Sequence, residues 1–167
     1  MTDGPSGPRR RKVRHVRSSD VPHDLVVVIR AAPGTLEAAA DDIAEAARVS
    51  AEVYVIQDAD GFRELLYGVS VYARRPGAEP DVLQRFSQAP AYLAAPVGRL
   101  RAAGFPVLPT GSHADHFDVQ LAAGHAEEDP VADDVITTAA WRLVAAAGDL
   151  QPNPFYAGAG DASPEDS

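Results

Sequence analysis

The densest polar cluster in the chain is Thr110-Gly111-Ser112-His113-Ala114-Asp115-His116-Phe117-Asp118, which sets two imidazoles and two carboxylates close together. Such groups bind zinc or another divalent ion when three or four of them converge at about 2.0 to 2.2 Å. A second place for chemistry is the turn Pro33-Gly34, where the backbone lies bare beside an amphipathic segment. A third is the run Arg9, Arg10, Arg11, Lys12, Arg14 and Arg17, which is able to neutralise several phosphates in a salt-dependent way but holds no aromatic for base stacking. Arg63, Arg74 and Arg75 offer an anion a further set of charges. The remaining histidines, His15, His23 and His125, have no serine or carboxylate partner at a diagnostic spacing, and Pro33-Gly34 alone is not a phosphate loop. No catalytic residue is therefore assigned, and catalysis is not expected.

Two stretches resemble known families. Thr110, His113, Asp115 and His116 match the THxHxDH pattern, which is similar to the metal-binding motif of the metallo-β-lactamase family and would imply a zinc site. Gly111 stands where that motif has its first histidine, and the stretch lies beside the last strand instead of after an early one. Strand geometry gives the cluster another meaning. With Phe117, Val119 and Leu121 facing inward, His116, Asp118 and Gln120 turn outward together, and His113 and Asp115 occupy the preceding turn. On that reading neither a metal nor a cofactor is expected. The other stretch, Pro33-Gly34-Thr35-Leu36 followed by Ile43-Ala44-Glu45-Ala46, resembles the strand-to-helix turn of ACT domains, whose members bind amino acids at subunit interfaces. Ala32 stands where an Asp or Asn is usual, and Ala47 replaces the glycine that normally ends the helix. The resemblance covers about twenty residues and implies a ligand-sensing role; a small-molecule sensor or enzyme would use a sheet-edge cavity near Pro33, Gly34, Tyr67, His113 and His116.

The elements that must position these groups follow from apolar period. Asp24 to Ala31 is a β-branched run suited to a strand buried on both faces, and Ala32-Pro33-Gly34 breaks it. After Thr35, which is expected to be the N-cap, Leu36, Ala39, Ala40, Ile43 and Ala47 recur at helical spacing. Ala51 to Gln57 and Phe62 to Arg74 alternate as a hairpin around the turn Asp58-Ala59-Asp60-Gly61. A short helix is predicted from about Asp81 to Gln88, and another from Pro96 to Gly104. Phe105 to Leu108 reads as a strand end, Asp115 to Leu121 as the last strand, and Asp129-Pro130 as the start of a C-terminal helix that ends at Gly148. The order β, α, β, β, α, β predicts an α+β fold: a ferredoxin-like, split βαβ, four-stranded antiparallel sheet with helices on one face, its first and third strands central, plus a C-terminal helix.

Composition sets the frame around this order. A chain of 167 residues with 46% hydrophobic content supports one core, predicted to span 21–150 between a disordered basic arm, 1–20, and a Pro- and Gly-rich flexible tail, 151–167. In that tail Leu150, Phe155 and Tyr156 are expected to clamp back onto the domain. The absence of cysteine excludes disulfides, thiolate metal sites and thiol nucleophiles. The longest apolar run, Leu25 to Ile29, is too short for a membrane span, so no membrane association and a cytoplasmic location are expected. The formal charge of -9 conceals an asymmetry. Residues 1–20 hold six basic and two acidic side chains, whereas the rest holds nine against 22, so only the arm attracts nucleic acid. These features together predict a non-enzymatic protein-interaction or accessory module, with self-association through the open sheet face. The rival readings are a ligand-sensing domain or small enzyme at the Pro33–His116 site, and nucleic-acid contact through the arm.

Overall fold

The Val26 to Ala31 run alternates between two apolar environments, so it folds as a strand with neighbours on both flanks and cover on both faces: Val27, Ile29 and Ala31 sit in one core and Val28 in another. A computed structural model describes residues 15–16, 21–50, 52–56, 63–77, 81–110, 113–124 and 131–157. In chain order the elements are β1 (His15–Val16), β2 (Val26–Ala31), α1 (Leu36–Val49), β3 (Glu52–Ile56), β4 (Arg63–Arg74), a 3-10 helix (Val82–Phe86), β5 (Ala91–Pro96), α2 (Val97–Ala102), β6 (Val107–Leu108), β7 (His116–Gly124), α3 (Asp133–Ala147) and β8 (Gln151–Pro152). The basic arm residues Arg9, Arg10, Arg11, Lys12, Arg14 and Arg17, the turn 58–61, Gly111 and Ser112, His125 and the pair Asp129-Pro130 lie outside the described residues. Among the described residues no helix is long and apolar enough to cross a membrane.

The fold is α+β, but the expected four-stranded ferredoxin-like sheet is wrong. The chain builds a six-stranded antiparallel open sheet in the order β6-β7-β4-β2-β5-β8 with three helices; β3 adds to it beside β4, and β1 pairs in parallel with β3. Two placements cause the difference. A ferredoxin-like sheet would put the last alternating strand next to β2; β7 instead pairs with β4 along Leu65 to Tyr72. There Val69 faces Val119 and Val71 faces Phe117, so each strand extends the apolar face of the other. The flank of β2 is taken by β5, which pairs with it from Val26↔Pro96 to Ala31↔Ala91. β5 is buried at Ala91, Tyr92, Leu93 and Ala95, so it lacks the alternation that marks a half-exposed strand. The hairpin of β3 and β4 forms in antiparallel register, Glu52 opposite Leu66.

Helices α1 and α3 cover one face of the sheet. Thr35 caps α1 by accepting a hydrogen bond from the Ala38 N–H at 3.0 Å, and Ala39, Ala40, Ile43, Ala44 and Ala47 are its buried stripe. Ile136, Ala139, Ala140, Leu143 and Val144 do the same for α3. The opposite face has a smaller core in which Val28 and Tyr92 meet Val82, Leu83 and Phe86 of the 3-10 helix.

That 3-10 helix is held by a reciprocal cap. The Asp81 carboxylate accepts from the Leu83 N–H at 3.0 Å, while the Gln84 side chain accepts from the Asp81 N–H at 2.8 Å. The Leu83 bond, assisted by Arg74 at 3.0 Å, holds the Asp81 carboxyl below its ordinary pKa. Its ionised form is thus favoured by folding, so the associated stability is complete above the unfolded carboxyl's pKa and disappears as pH falls through the lower folded value. Asp81→Ala is expected to cost about 1 kcal/mol at neutral pH. In acid melts the gap between variant and parent should close; a gap constant to the lowest pH at which both fold would refute the assignment.

Beyond α3 the chain continues in contact with the sheet. Gln151–Pro152 pairs with β5, and Asn153 is buried with its amide nitrogen donating to the carbonyls of Leu83, Phe86 and Ala89 at 3.3, 3.0 and 3.0 Å. Phe155 remains 37% exposed, and the Tyr156 N–H bonds the Asn153 carbonyl.

Candidate functional site

The sheet is not continuous between its two central strands. β2 pairs with β4 only at Val26, Val27 and Val28, then stays with β5 through Ala31 and parts from β4. β3 rejoins the same flank of β4 only at Leu66. Between these contacts the Tyr67 to Val71 stretch has β7 on one flank and an open wedge on the other. Ser50, at the end of α1, stands at its mouth: its hydroxyl donates to the Ala46 carbonyl and lies 3.4 Å from the Gly68 carbonyl.

The wedge is a cleft of about 480 Å³. Its apolar wall is made by Ile29, Ile43 and Val69, and its polar groups come from Arg30, Asp42, Ser50, Ser70 and Gln88. Strand alternation adds backbone groups. The Ala73 N–H bonds Asp115 on the β7 side, so even-numbered residues of β4 direct their backbone the other way. The Leu25 carbonyl accepts from Val97 on the β5 side, so even-numbered residues of β2 face β4. Arg30 and Ser70 therefore turn main-chain donors and acceptors toward each other where the ladder has opened, and such groups need partners.

A second cleft, also about 480 Å³, lies on the face away from α1 and α3. Arg30 lines both clefts; with it in the second are Tyr72, Arg85, Phe86, His113 and Asp115. The Arg30 guanidinium sits over the Phe86 ring, 5.3 Å from its centroid. Phe86 meets Tyr72 edge to face, and Tyr72 stacks flat on His116 at 4.6 Å.

The residues singled out from sequence are dispersed by this geometry. Pro33 lines the first cleft. Gly34 occupies the β2–α1 turn with a φ of 101°, a left-handed conformation that glycine adopts without strain, and does not line either cleft. Tyr67 points into the core under α3, where burial raises its pKa and Asp133 adds to the rise against an opposing hydrogen bond from the Val131 backbone. His113 opens on the second cleft and His116 lies beside it under Tyr72.

The metal-motif residues also diverge. Asp115 is ion-paired with Arg75 at 2.9 Å, and the buried Thr110 hydroxyl donates to Asp118. Among the described residues no three His, Asp or Glu side chains are grouped to hold a metal ion. Of the hairpin arginines, Arg74 is engaged by Asp81 and Tyr92 and Arg75 by Asp115. His23 faces Arg101 at 3.4 Å. Arg30 and Arg85 were missed because nothing local distinguishes them; the one available signal is that Arg30 is the only charge inside the apolar run that forms β2. The chain matches no protein-family model, no curated protein and no solved structure.

Proposed function

We propose that the chain is a small-molecule-binding domain whose ligand occupies the cleft between β2 and β4. The observation that carries this reading is the parting of β2 from β4 after Val28, which leaves a cavity of about 480 Å³ instead of a filled sheet. That volume falls in the usual range for small-ligand pockets, and an apolar wall with a few polar groups at its rim is their usual chemistry. Asp42 supplies a charge at the rim, and the main chain of Arg30 and Ser70 supplies directional hydrogen bonds, so the fitting ligand is a small polar molecule bearing both donors and acceptors. An interaction module, the first expectation from sequence, would be favoured by a flat, filled surface here. The cleft supports the ligand reading over it.

Titration with a set of amino acids, small amides and organic acids, followed by backbone amide NMR, tests this directly. A binder should move Arg30, Ser50 and Ser70 together. Ala46→Trp places an indole on the exposed side of α1 at the cleft wall and should abolish the shifts while α1 stays folded. Failure of every compound to bind at millimolar concentration, or shifts that persist unchanged in Ala46→Trp, would reject the proposal.

A further inference from the structure

We infer that the second cleft is a site for a phosphate monoester, held by Arg30, Arg85 and His113. It stands apart from the ligand reading of the first cleft, because two of its three polar side chains do not line that cleft.

The argument begins with charge pairing. Acidic residues outnumber basic ones by 24 to 15, so a cleft whose charges are arginines stands out against the average field of the chain. Arg48 pairs with Asp133 and Glu45, Arg74 with Asp81, and Arg75 with Asp115. Among the described residues Arg30, Arg85, Arg99 and Arg142 have no such ion pair, and of these Arg30 and Arg85 line one cleft together. The carboxylate among the lining residues, Asp115, is already paired with Arg75 at 2.9 Å. The cleft is thus locally cationic in a protein of net charge -9.

The arrangement selects the class of anion. A carboxylate is satisfied by one arginine that grips both oxygens. Here the donors come from three separate elements: Arg30 from β2, Arg85 from the 3-10 helix and His113 from the turn before β7. Donors that line one cleft from three separate elements suit a tetrahedral group with three terminal oxygens. Arg30 is steadied over the Phe86 ring, which lowers the entropy lost when it binds. Phe86 and Tyr72 give the ester's organic part an aromatic wall. A polyanion is disfavoured because the acidic surface repels it at long range, whereas a small monoester feels mainly the cleft.

Phenyl phosphate titrated calorimetrically into the full chain, against sodium chloride at matched ionic strength, should give saturable binding, and inorganic phosphate should bind more weakly at the same site. Benzoate serves as the carboxylate arm and should bind at least about ten-fold more weakly than phenyl phosphate, having lost charge-assisted bonds. Arg30→Gln and Arg85→Gln should each weaken phenyl phosphate about ten-fold; the melting temperature should stay unchanged in Arg85→Gln, whose side chain is exposed, and fall by no more than about 3 °C in Arg30→Gln, which loses the Phe86 contact. Arg85→Lys should retain part of the affinity, and Arg99→Gln, on α2, all of it. Ala46→Trp should leave phosphate binding intact, so failure of the first-cleft proposal is read separately. No saturable binding beyond chloride, equal affinity for benzoate, or affinity unchanged in both glutamine variants would overturn the assignment.

Discussion

Asn153→Ala is expected to lower stability by about 3 kcal/mol and the melting temperature by about 9 °C, a large loss for one side chain near the end of a sequence. The two N–H bonds of the Asn153 amide are shared among three carbonyls, those of Leu83, Phe86 and Ala89, and its oxygen accepts from the Phe155 N–H at 3.0 Å. The side chain is buried, so alanine removes all of these bonds at once in a place water reaches poorly; the Phe86 carbonyl keeps its bond from the Ala89 N–H at 2.7 Å, while the bonds to the Leu83 and Ala89 carbonyls and to the Phe155 N–H are lost. Asn153→Asp should be as damaging, because a carboxylate aims negative charge at three carbonyl oxygens instead of a donor. The damage should also reach both clefts. Asn153 ties down the segment that carries Arg85 and Phe86 on one side and Gln88 on the other, and the Ala157 N–H bonds the Ser87 carbonyl at 2.9 Å. Thermal melts and the two titrations on the same variant check this; a melting temperature within about 2 °C of the parent would show that the carbonyls are satisfied in another way.

Leu143→Ala is expected to cost about 3 to 4 kcal/mol. Leu143 is fully buried on α3, in the larger core where that helix meets α1 and the sheet. Removing three carbons there loses the transfer energy and leaves a cavity that neighbours on rigid elements cannot close. Asn153 belongs to the other face, with the Val28, Leu83 and Phe86 cluster. The two substitutions share no partner, so in urea melts their costs should add to within about 0.5 kcal/mol. A stronger coupling would mean that the two faces of the sheet are not energetically separate.

Much of the local structure is readable from residue order, because it depends on neighbours a few positions apart. The Thr35 cap and its alanine stripe, the β3–β4 hairpin and the inward set Phe117, Val119 and Leu121 all follow from period and capping chemistry. Helix α3 shows where such reading slips: Asp129-Pro130 marks its start, yet the helix begins at Asp133 behind Ala132. β5 gives no local sign at all, since Ala91 to Ala95 is buried without alternation and Pro96 reads as a helix opener.

Long-range pairing decided everything else. An alternating strand with one apolar face fits either flank of a sheet, so residue pattern alone does not say that β7 joins β4 and leaves β2 to β5. The candidate sites come from the same choice. With β5 holding β2 to its end and β3 meeting β4 only at Leu66, the two central strands part and a cleft opens. Arg30, Arg85 and His113 then come to one cleft from positions far apart in the chain. No spacing rule spans such separations: the energy that brings these residues together lies in the burial of the strands beneath them.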